Sequence, residues 1–193
     1  TARSAEFGAA WLHRAFDLQA VLFHQRIDDA VVRITLPSTR FQRVNRDRFT
    51  SGGLELTAGT AVGGMTLRGD LTLQRARIAD RSIADPTQRQ PEDVPDVFGA
   101  LYATAPLMRQ VEAQARWRVA GATRCTNADS GALERQAGAQ VFDVGIERRW
   151  TASRMLGALT AGLQVENLLD AALYDKCGLP QAGRTLRLSI RVG

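Results

Sequence analysis

Apolar and polar side chains alternate with a period of two along most of this chain, and that constrains its folding more than any other feature. Successive side chains of a strand point to opposite faces of a sheet, whereas a helix would scatter such a set around its surface. In 186–192, Leu186, Leu188, Ile190 and Val192 oppose Arg187, Ser189 and Arg191. From 65 to 74, Met65, Leu67, Gly69, Leu71 and Leu73 oppose Thr66, Arg68, Asp70, Thr72 and Gln74. Val111, Ala113, Ala115, Trp117 and Val119 oppose Glu112, Gln114, Arg116 and Arg118, and Leu159, Ala161, Leu163 and Val165 oppose Thr160, Gln164 and Glu166. Each run has one greasy and one wet face.

Turn signals divide the chain into about nine expected strands, near 4–11, 16–36, 44–59, 65–79, 95–104, 111–123, 138–149, 156–168 and 183–192. Short connections near 12–15, 60–64, 105–110 and 150–155 alternate with longer polar ones near 37–43, 80–94, 124–137 and 169–182. Pro86, Pro91 and neighbouring aspartates mark the loop 80–94. Short turns on one rim and long loops on the other suit a membrane barrel. A soluble all-β binding or adhesive domain also alternates, so both readings stand on pattern alone. Two features favour the barrel. Several runs reach or pass the roughly 9–11 residues that a tilted strand needs to cross a bilayer. The wet face also carries both charge signs, Arg68 with Asp70 and Glu112 with Arg116, as a water-filled or plugged lumen does. No internal linker divides the chain, so residues 1–193 are read as one unit, an antiparallel meander with no helix beyond about two turns.

Composition narrows the alternatives. Apolar runs such as Ala30-Val31-Val32 fall far short of the roughly 20 residues of a membrane helix. The net charge is +5 and Lys176 is the only lysine; the arginines are spread singly among acidic residues instead of clustering as a nucleic-acid binder's would, so no nucleic-acid partner is expected. Cys125 and Cys177 are too few and too isolated for a metal knuckle, though one disulfide is open to them. The opening Thr1-Ala2-Arg3-Ser4, with no start methionine or leader, leads us to expect part of something longer.

The end of the chain carries a family resemblance. Val165-Glu166-Asn167-Leu168-Leu169-Asp170, then Tyr174-Asp175, then Gly178-Leu179-Pro180-Gln181-Ala182-Gly183-Arg184-Thr185-Leu186 resembles the close of TonB-dependent receptors. There an Asn-Leu-Phe-Asp-like turn ends the penultimate strand and a Gly-Arg-Thr segment opens the last. Upstream, Glu6-Phe7-Gly8 with Leu22-Phe23 and Asp28-Asp29, Asn45 with Gly53-Leu54-Glu55-Leu56, and Pro91-Glu92-Asp93-Val94-Pro95 are similar to earlier barrel segments. The resemblance implies the final strands of a barrel of about 22, integral to the bacterial outer membrane. Counting back from a last strand that ends in the periplasm puts every long loop outside. The plug domain and the segment that contacts TonB would lie upstream of Thr1. One departure is the ending Arg191-Val192-Gly193, where the family has an aromatic assembly signal; either a last residue is missing or targeting is impaired.

The family's role implies uptake of a scarce nutrient, most simply a ferric siderophore or similar metal chelate, with TonB as partner through the plug and membrane lipid around the barrel. Ligand contacts would come from loops 80–94, 124–137 and 169–182 and from inward residues at strand tops, with Gln74, Arg116, Arg118 and Gln140 as candidates. Leu67, Leu71, Val119, Leu163, Leu188 and Ile190 would face lipid, and Trp11, Trp117 and Trp150 would join lipid-facing or interfacial belts. In this topology Cys125 and Cys177 fall in the last two external loops, where thiols oxidise; a bridge between them and two separate thiols both stay open. No enzyme constellation, resident metal or cofactor is expected. His13 and His24 lack ligands at metal spacing, Ser130 lacks a nucleophile frame and a paired histidine, and Ser51-Gly52-Gly53 and Val62-Gly63-Gly64 fit turns and bulges better than phosphate cradles.

Overall fold

A computed structural model describes residues 1–35, 40–81, 83–84, 89–127, 129–151 and 158–192. The strands are β1 (Ala2–His13), β2 (Phe16–Thr35), β3 (Phe41–Val62), β4 (Met65–Ala79), β5 (Val97–Met108), β6 (Val111–Ala120), β7 (Thr123–Thr126), β8 (Leu133–Gln136), β9 (Ala139–Thr151), β10 (Ala158–Glu166), β11 (Tyr174–Lys176), β12 (Leu179–Pro180) and β13 (Thr185–Val192). Nine of them form one antiparallel sheet in the order β1-β2-β3-β4-β5-β6-β9-β10-β13. Each long strand pairs with its neighbour in the chain, as the alternation predicts, and the strand bounds lie close to the expected ones. The expected connection around 150–155 falls mostly outside the described residues.

Two features depart from the expectation. The loops 124–137 and 169–182 are not plain loops: β7 pairs with β8, and β11 with β12, as small separate hairpins. Four residues or fewer per strand are too short for alternation to show above the polar background. The fifth strand also runs on to Met108 past Pro106, because the register shifts between Pro106 and Met108. A bulge accommodates a residue with no N–H to give to the ladder. At the two-residue turn between β3 and β4, Val62 pairs with Met65 across Gly63 (φ 59) and Gly64 (φ 83). Two positive φ values in succession make the hairpin turn that glycine adopts without a Cβ penalty.

The registers carry each residue's facing from strand to strand. Leu67 pairs with Ala103, Ala103 with Ala115, Ala115 with Val144, Val144 with Val165 and Val165 with Leu186. This places Leu67, Leu71, Val119, Leu163, Leu188 and Ile190 on one face, together with Trp11, Trp117 and Trp150. Nothing among the described residues covers that face. Phe7 is 71% exposed, Leu186 70% and Leu188 74%, and no large side chain is fully buried among the described residues. A soluble sandwich would bury one face against a second sheet; here the main sheet is a single layer whose apolar side must be met by something outside the chain. The buried residues include two groups, Cys125, Val141, Asp143 and Asn167 where loops fold over the sheet, and Ser51, Ala76 and Ile78 on β3 and β4. β1 and β13 end the strand order, each with one ladder unpartnered within the described residues.

Candidate ligand-binding site

The polar face is organised by cross-strand rows. One runs Arg68, Tyr102, Arg116, Asp143, and the next Asp70, Ala100, Arg118, Val141. Opposed side chains on one face lie about 4.5–5.5 Å apart at Cβ, so these rows set charged and aromatic groups side by side. The Arg116 guanidinium carbon sits 5.1 Å from the centroid of the Tyr102 ring. Arg118 reaches Asp143 through Nη2, at 3.3 Å to Oδ1 and 3.0 Å to Oδ2. Asp143 is 4% exposed, and its Oδ1 also accepts the backbone N–H of Asn167 at 2.9 Å. A buried carboxylate needs such compensation, because an unpaired charge in a dry site is costly.

Above these rows the loops form a tied cap. Cys125 and Cys177 are joined by a disulfide with Cα atoms 5.7 Å apart, linking β7 to the turn between β11 and β12. Gln136 donates from Nε2 to the Tyr174 carbonyl at 3.1 Å, reinforcing the same junction. The loop before β5 is drawn in from the other side: Thr126 donates from Oγ1 to Glu92 at 2.9 Å, Arg124 from Nε to Gln90 at 3.2 Å, and Asp93 N–H to the Arg124 carbonyl at 2.8 Å. Three loops far apart in sequence thus share one set of contacts. Beneath them lies an open cleft of ≈ 530 Å³, lined in part by Asp70, Phe98, Tyr102, Arg116, Arg118 and Tyr174. Aromatic faces beside guanidinium groups can hold an anionic, partly aromatic ligand by stacking, cation–π contact and charge-assisted hydrogen bonds.

The four residues singled out in the sequence have different fates. Arg116 and Arg118 meet in the cleft wall. Gln74 does not line it; its Nε2 donates to the Pro95 carbonyl at 3.0 Å and its N–H to that of Asp96 at 2.8 Å, fixing the start of β5. Gln140 corrects the expectation of an inward residue. It pairs with Val119 and shares the apolar face with Phe142 and Val144, where its Oε1 accepts from Trp117 Nε1 at 3.3 Å. The adjacent apolar residues Val141 and Phe142 leave the phase of this strand ambiguous, and the β6–β9 register puts Phe142, with Gln140 in step, outward. Phe98, Tyr102 and Tyr174 were missed as lining residues, although Phe98 and Tyr102 fall in step at positions 98, 100 and 102 of their strand.

The closing motif has a local explanation. Asn167 (φ 51) and Asp170 (φ 54) take the left-handed conformation that Asn and Asp tolerate best. The Asn167 side chain accepts the N–H of Ala171 and donates to its carbonyl, both at 2.9 Å, and Asp170 Oδ1 accepts the Arg184 N–H at 2.8 Å, which starts the last strand. Among the described residues no group of three or more His, Cys, Asp or Glu is placed to hold a metal ion.

Comparison with known proteins agrees with this construction. No curated protein sequence matches the chain. Solved structures do: the ferric-catecholate import receptor Fiu from E. coli K12, at 20% identity and TM-score 0.74, is covered over 98% of this chain and 27% of its own. The FrpB iron transporter from Neisseria meningitidis (F3-3 variant) has 20% identity and TM-score 0.72 over 98% of this chain and 30% of its own. The copper transporter OprC has 16% identity and TM-score 0.73 over 98% and 30%. Identities this low speak for the fold alone, and the chain spans less than a third of each neighbour's length. Residues 1–168 match the family model described as TonB dependent receptor-like, beta-barrel. With a match over most of its length, a nine-stranded meander of the kind that builds these barrels and the closing turn accounted for, the chain belongs to the TonB-dependent receptor β-barrel family.

Proposed function

We propose that this chain is part of the wall and external cap of an outer-membrane receptor that captures a scarce nutrient, most simply a ferric siderophore or a similar metal chelate, and passes it inward through a plug domain driven by TonB. The observation that carries the reading is the joint placement of an uncovered apolar face on one side of the sheet and an arginine- and tyrosine-lined cleft under tied loops on the other. In a barrel the first side meets hydrocarbon and the second borders the lumen. Arg116 and Tyr102 are the ligand-facing pair. Arg118 also borders the cleft, but Asp143 offsets much of its charge, so Arg116 contributes more to anion selection. Named neighbours that import ferric catecholate or iron make a chelate the natural first ligand to try. Quenching of intrinsic fluorescence in the full-length receptor, titrated with a ferric catecholate complex, tests this. Arg116→Ala should weaken binding about ten-fold, the worth of one charged hydrogen bond; an unchanged affinity would remove the cleft from ligand recognition.

A further inference from the structure

The apolar face does not stay apolar along the whole length of β1–β4. Its rows can be followed upward through the registers: Ala9, Ala20, Leu56, Leu71, and next Phe7, Leu22, Leu54, Leu73. Directly above, the same face continues as Ala5, His24, Gly52, Arg75, and then as Arg3, Arg26, Thr50, Arg77. One step higher Arg48 stands opposite both Asp28 and Ala79. The change from leucine to arginine takes a single row. On the opposite face at this height Ser51 pairs with Ala76, both buried, and Ile78 is buried too, so the polarity of the sheet is inverted here: small and apolar residues inside, cations outside.

An ordinary exposed strand extension mixes its signs. This patch mixes them only at its upper edge, where Arg48 borders a cleft with Asp47 and Asp80. Among Arg3, Arg26, Arg48, Arg75 and Arg77 the carboxylate in ion-pair contact is Asp28, which bridges Arg26 at 3.0 Å and Arg48 at 3.1 Å. Hydrogen bonds, from Arg26 first and then Arg48, hold the Asp28 carboxyl below its ordinary value, so it remains a fixed negative charge. Arg3, Arg75 and Arg77 are exposed and form no ion pair among the described residues. Strands lie about 4.8 Å apart and alternate residues about 6.8 Å apart, so the guanidinium groups form a two-dimensional array that more than one phosphate of a single headgroup can bridge. Arginine suits that partner, because its planar fork donates two parallel hydrogen bonds to phosphate oxygens.

We infer that this outward arginine patch is a binding site for the phosphorylated sugar headgroup of an outer-leaflet glycolipid, lipid A. The inference rests on the outer-membrane reading above, which puts the leucine rows in hydrocarbon and the arginine rows at headgroup depth, where anionic lipid is recognised by basic side chains. The lipid's acyl chains would lie against Leu22, Leu54 and Leu73 while its phosphates meet Arg75, Arg77 and Arg26, so one molecule satisfies both halves of the surface. An acidic protein would match the charges but not the apolar rows below them.

The test uses the full-length receptor in phosphatidylcholine nanodiscs, titrated with bisphosphorylated lipid A and read by native mass spectrometry. Bound lipid A should persist in the wild type and fall at least ten-fold in Arg75→Glu/Arg77→Glu, while ferric-chelate affinity stays unchanged. The milder Arg75→Gln/Arg77→Gln should show a smaller loss in the same direction and keeps the test alive if charge reversal blocks assembly. Equal retention by wild type and both variants would overturn the site, as would equal retention of dephosphorylated lipid A or displacement of lipid A by millimolar inorganic phosphate, which would make it a free-anion site. Fractionation separates the two levels of the argument: a receptor found outside the outer membrane would defeat the functional reading and this inference together, whereas a correctly inserted receptor that ignores lipid A would defeat this inference alone.

Discussion

The β2–β3 hairpin and the loops over β6, β9 and β10 both rise above the apolar rows, but they are held by different forces. β2 and β3 continue the sheet itself, with Thr35 still paired to Phe41 in the register that joins Phe16 to Thr60. Their order is a backbone ladder in which each residue is fixed by its neighbour. At the other end the ladder stops at Ala120 and Glu166, and the chain above it is held by side chains distant in sequence: one disulfide, the Asp143 junction and the hydrogen bonds of Glu92, Gln90 and Gln136. Local order is cheap to specify, since alternation and a turn suffice. The cap depends on a few individual groups, and removing one should matter far more there than in the hairpin.

The largest expected effect is loss of the disulfide. The bridge closes a loop with a sequence separation of 52, and constraining a loop of that size stabilises the joined state by about 4 kcal/mol in a chain-entropy estimate. In the full receptor, Cys125→Ser/Cys177→Ser should leave barrel insertion intact and open residues 121–138 and 167–184 to limited proteolysis, with cleavage in the cap before any in β2–β3. Resistance equal to wild type would show that the cap is held by something other than the bridge. Next is Asp143→Ala, which leaves the buried Asn167 N–H without its acceptor and frees the part-exposed Arg118; an unsatisfied buried donor costs about 2 kcal/mol, seen as a lower unfolding temperature and faster amide exchange at 167–171. Asp143→Asn keeps an acceptor for Asn167 and should cost less. Smaller again is Thr126→Ala, which loses one hydrogen bond to Glu92 and should loosen the 89–96 segment by about 1 kcal/mol in hydrogen exchange. At the bottom of the scale, Asp28→Ala breaks two exposed ion pairs on β2–β3 and should leave the unfolding temperature almost unchanged. A loss there as large as that of Asp143→Ala would erase the distinction between the two regions.

The same division explains what could be read from the sequence. Strands such as Met65–Ala79 and Thr185–Val192 were legible because register and facing follow from residues two apart. The facing of Gln140 was misread where Val141 and Phe142 break the phase. The hairpins β7–β8 and β11–β12, and the partnership of Glu92 with Thr126, depend on contacts across separations such as 34 residues, which no local pattern encodes. Arg116 and Arg118 could be found because they alternate with the apolar residues of their own strand, which puts them on its opposite face. Tyr102 and Tyr174 could not be weighed as readily, since an aromatic side chain suits either face.

The central claim is that one face of this sheet meets hydrocarbon and the other borders a wet lumen, and spin labels tell those environments apart directly. Single cysteines labelled at Leu56, Leu71 and Leu163, and at their inward neighbours Thr57, Asp70 and Gln164, can be compared in the full-length receptor in lipid bilayers by collision with oxygen and with a water-soluble nickel chelate. The first three should favour oxygen and the second three should not, with the preference reversing at every step along a strand. Equal accessibility at adjacent positions, or oxygen preference at Asp70 and Gln164, would contradict the account.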